Sequence, residues 1–422
     1  IRFVLAFFFL LIPTTLMGGT LPVIIKYFVK EIKQAGGQIS NLYSINNFGA
    51  VIGAFIAGFI LIKTFGLTVT LFIGAGLNII NAIIVFVIAR QTDTTKITSQ
   101  KEEGEALVAD ELIHEDTETD KRYPRYLVRL ALWVFAIEGF TTLAYEVIWS
   151  RILVGYSFDK TTYFYTVILM SFIFGLSLGS FFIRKKIDKI KDLATWLGTI
   201  EVVIGLVSVA LLIFFAWLAP ILIKDRNVFK TWMETVGRDY FIFFVLISIP
   251  TTLMGFTYPI VSKIYEKKKK KLGNRMGTIG FLDTVGSILG SFIAGFVFIP
   301  FLGVVKSFLF VALINILIGL AMWIFHPAKS RQFKIILTSA VVGFALVLYF
   351  AIPSYQYFTW WDKIGNNPWW GHHYEKVVFY DEGEAATVIV RQYPGENMRS
   401  LVINGHHTAY TTIKDLSVNR QL

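Results

Sequence analysis

Ten apolar segments dominate this sequence and restrict its fold more than any other feature. A helix that crosses the hydrocarbon core of a bilayer needs about 20 mostly apolar residues. Hydrophobic residues make up 55% of the chain and charged residues 16%, whereas soluble domains carry about 25% charged residues. The pattern excludes a soluble globular domain and predicts a polytopic membrane protein. The segments lie near 3–28, 41–62, 68–89, 127–149, 161–183, 193–218, 240–262, 278–299, 305–325 and 335–353.

Net charge and cysteine content narrow the possible chemistry. The formal charge is +11, and the chain has no cysteine. In a polytopic protein an excess of Lys and Arg sets orientation in the membrane, so the predicted partner is the lipid bilayer and not a nucleic acid. The absence of cysteine excludes disulfides, thiolate metal sites and thiol nucleophiles.

An internal repeat divides the chain into two related halves. The segment at 12–30 reads IPTTLMGGTLPVIIKYFVK, and the segment at 249–267 reads IPTTLMGFTYPIVSKIYEK. At this constant offset of 237, 22 of the 55 positions from 12 to 66 are identical. Matched Pro and Gly residues at one fixed offset indicate duplication of a structural unit.

The repeat predicts an all-α membrane bundle of two six-helix halves, the first of them incomplete. The second half contains six apolar segments and the first half only three, and the sequence begins at Ile1 inside an apolar run. We therefore expect a fragment that lacks about three N-terminal helices. The predicted divisions are three spans, a linker, a six-span repeat, an additional span and an extramembrane β segment, at 1–90, 91–125, 126–326, 327–354 and 355–422.

A strongly acidic stretch separates the two halves. Residues 102–120 contain nine acids: Glu102, Glu103, Glu105, Asp110, Glu111, Glu115, Asp116, Glu118 and Asp120. A run of like charge this dense repels itself and does not fold compactly. We interpret this stretch as a flexible linker on the cytoplasmic side.

Loop charge predicts the orientation. The loops on one side of the predicted bundle hold 18 Lys or Arg residues and those on the other side hold 8. Positively charged loops face the cytoplasm, which predicts a cytoplasmic (inner) membrane protein of bacterial type. If 335–353 also spans the membrane, the residues after 354 are extracytoplasmic.

The tail after residue 354 changes character. Trp360, Trp361, Trp369 and Trp370 follow the last apolar segment, where indole rings favour the lipid headgroup region. Three short runs rich in β-branched residues then alternate with turn residues. The tail therefore predicts the start of a small β domain.

Several motifs in this order resemble the membrane-fused spermidine synthase-like proteins, which join a major facilitator bundle to a spermidine synthase domain. They are YEVIWSR at 145–151, FGLSLGS at 174–180, the two PTTLMG copies, NNFGAVIGAFIAGF at 46–59, DTVGSILGSFIAGF at 283–296, YDEGEAATVIV at 380–390 and LVINGHHTA at 401–409. The resemblance covers nearly the whole chain.

The resemblance implies a β domain that precedes a Rossmann-like domain, aminopropyl transfer to a polyamine, and decarboxylated S-adenosylmethionine as co-substrate. No cofactor site is visible in the sequence itself. The positions that match the family's substrate-contacting strand motif are Asn404, Gly405, Thr408 and Asp415. Thr408 replaces a glutamine of the soluble enzymes, and Leu416 replaces the second acid of an Asp-Glu pair. No catalytic residue is carried over.

Ionisable and polar residues inside predicted spans are candidate functional sites, because burying a charge in a bilayer is costly. They are Glu138, Glu146, Arg151, Glu201, Asp283 and Asn46. Glu146 and Arg151 form either a cation or proton relay or a clamp between helices. Glu201, eight residues into its segment, is the stronger candidate for transport.

Asn46 and Asp283 are repeat partners, and two interpretations of them remain open. They either face a central cavity from both halves or satisfy backbone amides near helix ends. The four-residue spacing of Gly49 with Gly53, and of Gly286 with Gly290, predicts close helix packing. The Lys267–Lys271 run indicates orientation or anionic lipid binding.

The histidines do not predict a metal site. Adjacent residues of a strand point to opposite faces, so His406 and His407 are poorly placed to chelate one ion, and we predict no metal.

Three hypotheses of function follow. The chain is an aminopropyltransferase-like enzyme, a transporter of a small cationic or polyamine-like solute, or a non-catalytic scaffold or accessory subunit that contacts other membrane or extracytoplasmic proteins. The first hypothesis follows from the family resemblance, which by itself does not establish catalytic activity.

Overall fold

The computed structural model describes residues 2–29, 34–91, 123–156, 162–225, 232–266, 272–327, 330–351, 376–383, 386–392, 399–403 and 406–410. The acidic linker, the lysine run and the tryptophans of the tail lie outside these residues. The described part is mostly helical and ends in a small antiparallel sheet.

The first half contributes three helices. They are α1 (Arg2–Phe28), α2 (Ala35–Phe55), which continues into a π-helical turn at Ile56–Leu61, and α3 (Ile62–Gln91). A sharp break at Gly66, whose φ is 75° and ψ is 174°, divides α3. Only glycine adopts such a conformation without strain, so this residue separates two membrane-length stretches that the apolar pattern also distinguishes.

The second half contributes the longer bundle, and one further helix follows it. The helices are α4 (Arg125–Tyr156), α5 (Thr162–Ile183), α6 (Leu193–Asp225), α7 (Trp232–Met254), α8 (Thr257–Tyr265), α9 (Leu272–Ile293), α10 (Ile299–Leu302), α11 (Val304–Ile324) and α12 (Arg331–Ala351). A π-helical turn at Ala294–Phe298 joins α9 to α10.

The described residues contain eight helical segments that are long and apolar enough to cross a membrane. One of them, at 35–88, covers two of the ten predicted segments. The predicted membrane bundle is therefore confirmed. In α12 the apolar described part, Ile335–Phe344, is shorter than a full span, so a crossing by 335–353 stays a prediction.

Glycines set the spacing between helices of the second half. A Cβ atom on Gly286 would overlap the carbonyl oxygen of Ala136 on α4, and one on Gly290 would overlap that of Phe140. Gly175 and Gly179 of α5 meet α7 in the same way, at Thr251 and Thr252. Here the predicted close packing is confirmed, because the backbones approach where no side chain intervenes.

The repeat-equivalent glycines of the first half have different surroundings. Within the described structure, no heavy atom of another element lies within 4 Å of a Cβ built on Gly49 or Gly53. Side chains of α1 and α3 such as Leu16, Met17 and Phe72 are largely exposed. Close packing at Gly49 and Gly53 is thus not observed among the described residues.

A polar network joins the two halves at one end of the bundle. The Asp188 carboxylate, in the turn between α5 and α6, accepts a hydrogen bond from the Gly37 N–H at 2.9 Å. Its other oxygen lies 3.2 Å from the Lys263 Nζ of α8. Arg184 donates to the Asn41 Oδ1 at 2.7 Å. These contacts attach the start of α2 to the second half.

The tail forms a four-stranded antiparallel sheet in the order β1-β2-β3-β4. Its strands are β1 (Lys376–Glu382), β2 (Thr387–Gln392), β3 (Arg399–Ile403) and β4 (His406–Tyr410). Three strands agree with the sequence pattern, and β4 is an addition to it. Ile389 and Val402, which pair across β2 and β3, form the buried centre of the sheet.

Candidate functional site

Three carboxylates from different helices approach one another inside the bundle. Glu138 of α4 is 3% exposed, and Glu201 of α6 is fully buried. Asp283 lies in the middle of α9, half-buried against α4. The charges of Glu201 and Asp283 both act on Glu138. We call these three residues the acidic cluster.

Each of the two buried carboxylates, Glu138 and Glu201, has one hydrogen-bond donor. The Thr257 hydroxyl of α8 donates to the Glu138 Oε1 at 2.7 Å. The Asn315 Nδ2 of α11 donates to the Glu201 Oε2 at 2.9 Å. The second oxygen of each carboxylate, Oε2 of Glu138 and Oε1 of Glu201, has no hydrogen-bond partner among the described residues.

No basic side chain among the described residues neutralises the charges of Glu138 and Glu201. Among the described residues, no lysine, arginine or histidine forms a salt bridge with Glu138 or Glu201. A buried carboxylate without a counter-charge is strongly unfavourable, so it takes up a proton or binds a cation. The arrangement can therefore hold protons, a cation or both.

Aromatic rings lie beside the cluster. Tyr43 of α2 and Tyr258 of α8 stack with ring centroids 4.4 Å apart, and the charges of Asp283 and Glu138 both act on Tyr43. Aromatic faces attract cations. Since Tyr43 belongs to the first half and the carboxylates to the second, the cluster lies where the two halves meet.

Close packing of α4 and α9 positions Asp283. A Cβ on Gly139 would lie 2.5 Å from the Asp283 Oδ1 and 2.7 Å from its backbone oxygen. Gly139 directly follows Glu138 in α4. Because Gly139 has no side chain, Asp283 of α9 can lie close to Glu138. The Ser287 hydroxyl also donates to the Gly139 oxygen at 3.3 Å.

The other predicted intramembrane residues lie elsewhere. Glu146 is half-buried on α4, away from the cluster, and Asn46 is exposed on α2. Helices α2 and α9 begin at Ala35 and Leu272, earlier than their apolar segments. Asn46 and Asp283 are therefore mid-helix, and the interpretation that they satisfy backbone amides near helix ends is wrong.

Arg151 contacts the C-terminal sheet. Its Nη2 donates to the Gly383 carbonyl at 2.9 Å, in the last turns of α4. The guanidinium therefore joins the bundle to the sheet. A Glu146–Arg151 pair, as a relay or a clamp, stays a prediction.

The tail motif is only partly described. Asn404, Gly405 and Asp415 lie outside the described residues, as do His372 and His373, while Thr408 is exposed on β4. His406 and His407 begin β4. The described residues contain no group of three or more His, Cys, Asp or Glu side chains that could hold a metal ion.

Sequence reasoning missed four neighbours of the acids, namely Thr257, Asn315, Tyr43 and Tyr258. Asn315 offers the clearest sequence signal, because it is an amide in the apolar helix α11 and is fully buried. The two tyrosines offer none, since aromatic residues occur throughout the spans.

The fold defines a polytopic helical membrane bundle with a polar site inside it, and comparison with known families agrees. The family model described as Major Facilitator Superfamily matches residues 2–262. The chain belongs to this superfamily. It is a multi-pass membrane protein.

Curated relatives carry a more specific name. A polyamine aminopropyltransferase of Leptospira interrogans is 25% identical over 264 residues, which are 63% of this chain and 47% of that protein. A polyamine aminopropyltransferase of Oceanobacillus iheyensis is 22% identical over 216 residues, 51% of this chain and 38% of that protein. The chain thus spans less than half the length of either relative. No solved structure matches it.

Proposed function

We propose that this chain is the membrane part of a polyamine aminopropyltransferase-like protein, and that its bundle binds a small organic cation of the polyamine class. One observation carries the proposal: Glu138 and Glu201 are both buried, the charge of Glu201 acts on Glu138, and each keeps an oxygen without a hydrogen-bond partner among the described residues. A cationic amine would supply both the missing charge and the missing donors.

The composition of the site favours an amine over a bare proton. A polyamine presents ammonium groups at intervals along an apolar chain, and here carboxylates lie beside the stacked Tyr43 and Tyr258 rings. Ammonium groups are attracted both by carboxylates and by aromatic faces. The position of the site at the contact between halves matches the general location of substrate sites in transporters built from repeats.

The competing hypothesis of a non-catalytic scaffold explains less of the site. A scaffold has no need for buried carboxylates with unpartnered oxygens, which weaken packing. The uncovered faces at Gly49 and Gly53 do favour a further helical contact there. A scaffold role and cation binding can be separated by measurement.

Aminopropyl transfer would belong to the extramembrane part. Decarboxylated S-adenosylmethionine would be the donor of the aminopropyl group and would release methylthioadenosine, and an amine nitrogen of a polyamine would be the acceptor. Because Thr408 stands where the family has glutamine, we assign no catalytic role to any residue of the sheet.

The test is spermidine binding to the purified chain in lipid nanodiscs, measured by isothermal titration calorimetry. Glu201→Gln and Glu138→Gln should each weaken binding by about tenfold or more, because they remove a buried counter-charge. Glu146→Gln, on the same helix but outside the cluster, should bind spermidine as the wild type does. Binding that is unaffected by both cluster variants would refute the proposal.

A further inference from the structure

The extramembrane sheet contacts the bundle through two consecutive residues, the last residue of β1 and the one that follows it. The Glu382 carboxylate accepts hydrogen bonds from the Val304 N–H of α11 and from the Tyr380 hydroxyl. The Gly383 carbonyl accepts the hydrogen bond from Arg151 of α4. We call Glu382 and Gly383, with these partners, the sheet junction.

The Glu382 contact satisfies the start of a helix. Gly303 precedes α11 with a φ of 79°, and the first N–H groups of a helix lack partners within it. A carboxylate there also interacts favourably with the helix dipole. A Cβ on Gly303 would lie 2.8 Å from the Glu382 Oε2, so glycine makes room for the contact.

The repeat provides an internal comparison. Gly66 has nearly the same φ, 75°, and precedes the equivalent stretch of α3. No heavy atom of another described element lies within 4 Å of a Cβ built there. Among the described residues, the backbone break at Gly66 therefore has no capping carboxylate, and the Glu382 contact occurs at α11 and not at α3.

The same two helices carry the junction and the acidic cluster. Helix α4 bears Glu138 and Arg151, which are about 20 Å apart along the axis at 1.5 Å per residue. Helix α11 bears Val304 and Asn315, about 16 Å apart. Between the two levels, Phe308 of α11 packs against Tyr145 and Trp149 of α4, with ring centroids 5.0 and 5.3 Å apart.

The junction is sensitive to the spacing of α4 and α11. Glu382 and Gly383 are neighbours in sequence and contact one helix each, so both contacts hold only when the helices keep this spacing. In the cluster, Glu201 is tied to α11 through Asn315, and when both carboxylates are ionised it repels Glu138 of α4. That repulsion acts to separate α4 from α11.

We infer that cation binding in the acidic cluster and docking of the sheet on the bundle are energetically coupled through α4 and α11. The inference rests on the proposed function. A cation between Glu138 and Glu201 cancels their repulsion, holds α4 and α11 at the spacing of the junction and stabilises the docked sheet. By thermodynamic linkage, loss of the junction weakens cation binding by the same factor.

Two measurements on the full chain in nanodiscs test the coupling. Hydrogen–deuterium exchange of the β1 amides should slow about fivefold or more when spermidine is added, as expected for an allosteric coupling of ordinary size. Glu382→Ala should abolish that protection and weaken spermidine binding by a similar factor. Asp381→Ala, which removes the neighbouring exposed carboxylate, should change neither quantity.

The outcomes separate this inference from the proposed function. Spermidine binding that depends on Glu201, together with unchanged β1 exchange and wild-type affinity in Glu382→Ala, would overturn the coupling alone. If Glu382→Ala does not fold, Arg151→Gln removes the other contact and should show the same loss of coupling.

A measurement without spermidine tests the coupling even if the proposed function fails. In alkaline buffer, where both carboxylates are ionised, Glu201→Gln removes one of the repelling charges, and by itself it should slow exchange of the β1 amides relative to the wild type at the same pH. If spermidine does not bind, the proposed function fails, and unchanged β1 exchange in Glu201→Gln then overturns the coupling as well.

Discussion

At the scale of single residues, the function of a carboxylate in this protein depends on what surrounds it. Glu138 and Glu201 are buried with one donor each, while Glu382 lies outside the spans and contacts a helix start and a tyrosine. Burial raises the pKa of the Glu382 carboxyl above its ordinary value, despite the opposing effects of Tyr380, Val304 and Arg151. Glutamate side chains therefore lie in two different electrostatic environments in this protein.

The raised pKa of Glu382 predicts a pH dependence of stability. The folded state binds the proton more tightly than the unfolded state, so this contribution is present below the ordinary glutamate pKa and is lost as pH rises through the raised pKa. Glu382→Gln cannot titrate and should remove the contribution. The measurement is the difference in thermal unfolding temperature between wild type and Glu382→Gln, followed from about pH 4.5 to about pH 8.

Subtracting the variant from the wild type removes the contributions of other titrating groups. The wild-type unfolding temperature should fall relative to that of the variant as pH rises. If the difference in unfolding temperature stays constant across this pH range, Glu382 binds its proton equally tightly in the folded and unfolded states.

At the scale of helices, identical residues at repeat-equivalent positions have different packing. Gly286 and Gly290 of α9 contact the α4 backbone, whereas Gly49 and Gly53 of α2 have open space beside them in the described structure. The repeat predicts the residue type at these positions. It does not predict the neighbour, which a separate element has to supply.

This difference predicts opposite effects of one substitution. Gly290→Ala should destabilise the chain by about 1–3 kcal/mol, because the methyl group overlaps the Phe140 carbonyl. Gly53→Ala should be neutral or stabilise by up to about 1 kcal/mol, since alanine favours helix and meets no atom. Thermal unfolding of both variants in nanodiscs tests the pair. An equal loss at Gly53 would show that another element packs against α2.

At the scale of the whole molecule, the sheet lies at the end of the bundle where α4 ends and α11 begins. The Asp188 network lies at the other end, because α5 runs back across the bundle from α4. The loops beside the Asp188 network belong to the side richer in Lys and Arg. With positively charged loops inside, we predict that the sheet is extracytoplasmic.

The absence of cysteine makes this orientation easy to test. Thr408→Cys on β4 should react with a membrane-impermeant maleimide in intact cells. Lys185→Cys, exposed at the opposite end, should react only after permeabilisation. The reverse pattern would invert the predicted orientation and place the sheet on the side where S-adenosyl compounds are made.

The amino-acid sequence by itself determined that the chain is a membrane bundle with a β tail, and it predicts that the bundle has two related halves. The length of an apolar segment and the matching of glycines and prolines between the halves can be read from the sequence without knowing which residues are in contact. It also identified Glu138, Glu201 and Asp283 as unusual, because charge in an apolar helix is costly wherever the helix packs. Only the tertiary structure brought Thr257 to Glu138, Asn315 to Glu201 and Glu382 to the start of α11. These partners are more than 70 residues apart in sequence, and only the packing of helices and sheet decides which of them meet.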